Sequence, residues 1–258
     1  MLWDSAIRRT GVVLAGIALA TPASAAAQQF NSDNYWVSPH GTITTLLVAG
    51  TSYSTIMTVV ALWPKWELNA AGFLSYTDQE SGASSHWSTI LYAKREVWEN
   101  DAKNGGLAFA GGIGTNPGYQ QQDQLSDPFR SFFATAQLSL PLFKGKLLWD
   151  LNPGVTLNTM YGDETTTKAG LTYSTRMAWY GVVPKSAIVG EVFGTAGGAY
   201  APIQYRAGLR WEPSYTFVGA VSWAQGFNGS KSGGLEVGIM IFSPPFACLK
   251  GCPKDRPE

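Results

Sequence analysis

The stretch Leu147 to Tyr161, LLWDLNPGVTLNTMY, decides the fold when it is taken every second residue. One set is Leu147, Trp149, Leu151, Pro153, Val155, Leu157, Thr159 and Tyr161; the other is Leu148, Asp150, Asn152, Gly154, Thr156, Asn158 and Met160. Successive side chains of a strand point to opposite sides, so this is a strand with one apolar and one polar face. Its apolar face is long and carries aromatic residues near both ends, the layout of a strand that crosses an outer membrane.

The pattern recurs along the chain. Trp66, Leu68, Leu74 and Tyr76 alternate with Glu67, Asn69, Ser75 and Thr77, and His86 to Trp98 sets Trp87, Leu91 and Val97 against Ser88, Tyr92, Lys94 and Glu96. Gly105 to Thr115, Ser131 to Phe143, Gly170 to Val183, Ala187 to Thr195, Ile203 to Trp211, Tyr215 to Ala224 and Gly233 to Phe242 follow the same rule. The first hairpin, Gly41 to Leu62, is apolar on both faces, so its facing is not fixed by pattern. Short links such as Trp63-Pro64-Lys65-Trp66, Phe143-Lys144-Gly145-Lys146 and Val183-Pro184-Lys185-Ser186 alternate with longer polar ones. Short turns on one side and long loops on the other mark a membrane barrel. The expectation is an all-β chain forming a single antiparallel up-and-down transmembrane β-barrel of about twelve strands.

Composition agrees. Charged residues make up 14% of the 258 residues, against about 25% in soluble domains. Aromatics reach 13%, and there are 29 glycines. Arg8 and Arg9, the apolar run Gly11 to Ala20 and the small residues up to Ala27 read as a signal peptide over 1–27, because the run is too short to span a bilayer. Its removal takes Arg8, Arg9 and Asp4 from 18 basic and 18 acidic side chains. The mature chain then carries about one net negative charge, with no basic patch for nucleic acid. Residues 28–40 read as a polar periplasmic lead-in, 41–243 as the barrel and 244–258 as a periplasmic tail. Cys248 and Cys252 lie in that tail and could close a small disulfide, although metal binding or free thiols remain open. An even strand count leaves both termini in the periplasm.

The closing segment Gly234-Leu235-Glu236-Val237-Gly238-Ile239-Met240-Ile241-Phe242 resembles the last-strand assembly signal of Gram-negative outer-membrane barrels of porin and transporter type. The resemblance implies an outer-membrane location, engagement of the barrel assembly machinery and contact with outer-membrane lipid. It departs from the family in that a Cys-containing tail follows the terminal aromatic. Leu209-Arg210-Trp211-Glu212-Pro213 and the glycine-rich final hairpin are loosely similar to barrels linked to uptake of aromatic or other hydrophobic compounds.

Two constellations bear on function. Arg176, Glu191 and Arg206 fall on the inward parity of three neighbouring strands, with Arg210 one step along and Glu236 two strands away. With Asp150 and Asn152 they are the expected pore lining of a passive channel for small solutes. The same charges would equally serve a filled lumen in a structural or partner-binding barrel, since charges inside a narrow barrel must pair. The second constellation is His86-Trp87-Ser88 with Asn100, which resembles the His-x-Ser arrangement of outer-membrane lipid hydrolases and deacylases, Ser88 as nucleophile and His86 as base. Parity turns both inward, away from lipid, so the expectation is a non-enzyme. No phosphate-cradling loop, metal-ligand cluster or cofactor motif is present. Homo-oligomerisation, or a periplasmic or membrane partner, is left open.

Overall fold

In the computed structural model, which describes residues 30–76, 85–114, 119, 131–160, 166–227 and 233–245, twelve antiparallel strands close into one barrel. They are β1 (Ile43–Gly50), β2 (Tyr53–Trp63), β3 (Trp66–Ser75), β4 (His86–Glu99), β5 (Gly106–Ile113) and β6 (Ser131–Leu142). After a short 3-10 turn at Phe143–Gly145 come β7 (Leu147–Met160), β8 (Thr166–Tyr180), β9 (Ser186–Gly197), β10 (Ala201–Ser214), β11 (Phe217–Gly226) and β12 (Gly234–Phe242). Each strand pairs with its sequence neighbours, and β1 pairs with β12 from Thr44 opposite Phe242 to Gly50 opposite Glu236, which removes the last free edge.

Strand ends differ from the alternation in several places, among them β10, which runs on to Ser214 beyond Trp211, and β8. β8 begins at Thr166, inside a stretch expected to be loop, because the β-branched Thr166 and Thr167 pair with Met160 and Thr159 at the end of β7. β9 and β10 extend to Gly197 and from Ala201, leaving a link of 198–200.

The outer surface is apolar around the whole circumference. Leu47, Ile56, Leu68, Leu91, Phe109, Val155, Leu171, Ile188, Leu209, Val221 and Val237 are all exposed. Exposed rings edge this belt on both sides. Trp63, Trp66, Trp98, Phe143, Trp179, Trp211 and Tyr215 lie toward the rim of the short turns. Tyr76, Trp87, Phe132, Tyr200, Trp223 and Phe227 lie toward the opposite rim. An apolar patch of this extent is costly in water and suited to hydrocarbon, with the rings at the two interfaces.

The interior has two halves. From β6 to β10 the inward residues are mostly polar: Gln137, Ser139, Asp150, Asn152, Thr156, Ser174, Arg176, Glu191, Arg206 and Arg210 are buried, beside a smaller apolar group of Leu148, Ala178, Ala187 and Val189. From β11 through β1 to β5 they are mostly apolar, a cluster of Leu46, Met57, Val59, Phe73, Ile90, Tyr92, Val218 and Met240. This settles the first hairpin. Leu46, Met57 and Val59 point inward and Leu47 and Ile56 outward, so both faces are apolar because an apolar cluster fills that part of the lumen.

Candidate functional site: a charged wall and an internal strap

Four of the seven inward residues expected to line the lumen fall into one cross-strand row. Asp150 is opposite Arg176, Arg176 opposite Glu191, and Glu191 opposite Arg206, so signs alternate across β7 to β10. Arg176 donates through Nε and Nη2 to Asp150 Oδ2 at 2.9 and 2.7 Å, and Ser139 Oγ donates to Asp150 Oδ1 at 2.6 Å. Arg206 Nη2 donates to Glu236 Oε1 at 3.0 Å and to the Tyr53 hydroxyl at 3.2 Å, while its Nη1 stands 3.7 Å from Glu191 Oε2. One step along β10, Arg210 Nε lies 2.8 Å from Glu212 Oε1. Asn152 faces the same space and its Oδ1 accepts from Ser174 Oγ at 3.2 Å. All of these groups except the half-buried Tyr53 are buried, and buried charges of this kind persist only where each finds an opposite charge or a hydrogen bond.

The lead-in is where the structure departs from expectation. Rather than standing outside the barrel, Phe30 to Ser38 lies inside it, buried at nearly every residue. This strap joins no sheet ladder. Its backbone N–H groups are taken up by wall side chains: Asn31 N–H by Glu191 Oε2 at 3.1 Å, Ser32 N–H by Glu191 Oε1, and Asp33 N–H by Asn152 Oδ1 at 2.8 Å. Tyr35 N–H donates to Ser139 Oγ at 3.1 Å and Ser38 N–H to Glu67 Oε2 at 2.9 Å. The physical reason is accounting. A buried irregular segment needs acceptors for its backbone donors; two inward carboxylates, an amide and a hydroxyl supply them for five of the N–H groups, and Asp33 Oδ1 within the strap takes that of Asn34.

Side chains fix the strap as well. Lys94 Nζ donates to Asp33 Oδ2 at 2.8 Å and lies 3.8 Å from Glu67 Oε1, a buried triad. Trp36 packs edge-on to Phe242 at 6.2 Å on the apolar half, and Phe30 packs with Leu148, Ala178, Ala187 and Val189. Gly106 permits the passage of the strap, since a Cβ there would come within 2.4 Å of the Tyr35 ring. From the β5–β6 connection, Tyr119 also reaches the strap, its hydroxyl donating to Asn31 O at 3.4 Å.

Of the hydrolase-like motif, Ser88 and Trp87 fall as parity expects. Ser88 is buried on the inner face, while Trp87 faces outward. Asn100 sits in the β4–β5 turn, where its Oδ1 accepts from the Asn104 and Gly105 N–H groups at 3.0 and 3.3 Å. Cys248 and Cys252 lie outside the described residues.

Among solved structures, the chain is similar to an outer membrane channel from Pseudomonas putida F1, with a TM-score of 0.53 and 15% identity over 83% of this chain and 99% of that one. The chain has the fold of that channel. The KdgM porin matches with a TM-score of 0.43 and 10% identity, over 78% of this chain and 98% of its own. No protein-family model and no curated protein matches the sequence.

Alternation along the chain placed Glu67 and Lys94 on the inward face with the other wall residues of this barrel but did not single them out, and it carried no sign of Asp33 or Tyr119; all four matter because the strap meets them. The available signal was the polar run Asn31 to Asn34 between Phe30 and Tyr35-Trp36, a composition that can bridge a polar wall and an apolar one.

Proposed function

We propose that this protein is a passive outer-membrane channel for small solutes, with the short turns, the start of β1 and the end of β12 on the periplasmic side. The observation that carries the reading is the strap. It crosses a polar, charged lumen and is held there by side chains alone, with no ladder bonds. A barrel serving only as a scaffold gains nothing from a charged interior that must be desolvated and paired, whereas a channel needs a polar wall and a constriction. Arg176, Glu191, Arg206, Arg210 and Glu236, with Asp150 and Asn152, set which solutes pass by sign and size. The strap narrows the passage to small ones.

Recording from the purified mature chain in a planar bilayer tests this. Small conductance steps are expected, rising several-fold when residues 30–38 are deleted. Arg206→Glu shifts the reversal potential toward cations. A bilayer that stays silent with both the intact and the strap-deleted barrel overturns the proposal.

A further inference from the structure

One charged side chain faces lipid. Along the outward parity of the twelve strands, every described residue is uncharged except Arg95, in the half of β4 nearer the short turns. Arg95 is exposed and pairs in register with Trp66 on β3 and Phe109 on β5, both exposed rings of the outer surface. Its guanidinium carbon stands over the Trp66 ring, 5.2 Å from the centroid. Among the described residues no carboxylate forms an ion pair with it. The acidic neighbours in the ladder, Glu67 and Glu96, are buried on the inner face, and Glu96 is held by Lys65 Nζ at 3.0 Å. A cation turned toward hydrocarbon is costly, and the cost falls away at headgroup depth, where aromatic girdles also sit. Stacking on Trp66 occupies the face of the guanidinium and leaves free the N–H groups in its plane, a fork that matches a phosphate.

Next to this row, toward mid-height, the same face is hollow. An open depression of about 520 Å³ crosses β2 to β5, its lining almost wholly apolar. Leu68 and Leu91 stand beside the small residues Ala70, Ala93 and Gly111, which leave the space. Ala93 is two residues from Arg95 on the same face of β4, so the hollow begins about 7 Å from the cation. Cation and hollow thus follow one another in the order of a phospholipid's own parts, phosphate at the interface and acyl chain in the hydrocarbon.

We infer that this face binds one anionic phospholipid, its phosphate on the Arg95 guanidinium and an acyl chain in the adjoining depression. A second copy of this chain fits less well. Contact between two barrels would enclose Arg95, and the outward parity of the strands offers no carboxylate to meet it. The site rests on the placement of the barrel in a bilayer and not on conduction; with the short turns on the periplasmic side, the lipid comes from the inner leaflet.

The test refolds the mature barrel into phosphatidylcholine vesicles that contain a fixed minor fraction of phosphatidylglycerol or of phosphatidylcholine with brominated acyl chains. Bromine quenches tryptophans it touches, and Trp66 lies at the site. Quenching by the anionic lipid should exceed that by the neutral one, with a preference of about fivefold. Arg95→Gln should bring the preference close to one. Ala70→Leu, which fills the hollow, should lower it, and Lys144→Gln, at an exposed cation of the β6–β7 turn, should leave it unchanged. Unboiled samples of each variant should still migrate as folded barrel. Equal quenching by the two lipids would overturn the inference. So would an equal loss in Arg95→Gln and Lys144→Gln, which would mean diffuse attraction to a basic rim, or a preference that disappears as barrels crowd and cross-link in pairs, which would put a second copy on this face. A silent planar bilayer with the preference intact would remove the channel and keep the site; conduction without the preference would do the reverse.

Discussion

Asp150 shows how little slack the lumen wall has at single positions. Its carboxylate takes two bonds from Arg176 and one from Ser139, and both charged partners are buried. Asp150→Asn keeps the shape and removes the charge, leaving Arg176 with Glu191 across the strand as its remaining counter-charge. Stripping one partner from a buried ion pair costs about 3–5 kcal/mol. Urea unfolding of the barrel in vesicles should show a loss of that size, and a change under 1 kcal/mol would mean that water already solvates the pair. The identity of this row was legible in the sequence, because each member sits on the inward parity of its strand. Its register was not, since which inward charge stands opposite which depends on turn lengths and stagger rather than on any one strand.

Among the elements, turns and strap illustrate opposite kinds of legibility. Turns announced themselves through Pro, Gly and Lys in short links, and four of them place a lysine at positive φ: Lys65 at 65°, Lys103 at 53°, Lys144 at 60° and Lys185 at 57°. A side chain in that region crowds its own carbonyl, which glycine avoids. Lys103→Gly should therefore raise stability by up to about 1 kcal/mol, read as a higher urea midpoint with unchanged slope; a lower midpoint would show that the lysine contributes contacts outweighing the backbone relief. The strap gave no comparable sign. It lacks a period because it has no regular structure, and its burial depends on acceptors contributed by β3, β6, β7 and β9, some of them more than a hundred residues away. The inward Leu46, Met57 and Val59 obscured the first hairpin for a related reason: an apolar lumen defeats the rule that one face of a barrel strand is wet.

For the molecule as a whole, placement in a bilayer follows from the belt and its two aromatic edges. A positive charge on the outer face should cost most at mid-height and little at the rim. Val155→Arg, in the middle of β7, should destabilise by about 2–4 kcal/mol, and Tyr215→Arg, in the β10–β11 turn, by about 0–1 kcal/mol. Equal costs at the two sites, measured by refolding into vesicles, would count against the placement. Closure into twelve strands was readable from the number of alternating segments, because strand count and parity are local properties. The filling of the lumen was not, because it is decided by the packing of the whole circumference around one short segment.

That segment has a mechanical consequence. Ser38 leaves the lumen beside Glu67, at the beginning of β3, and Phe30 packs on residues within three positions of the same rim in β7, β8 and β9. The loop thus hangs into the barrel from one opening, with both of its ends directed back to that side. Traction on the chain upstream of Phe30 would meet only side-chain attachments, released one after another like a zip fastener, while the hoop of strands stayed intact. A tether anchored on that side could unblock the bore at forces far below those that unravel the hoop itself.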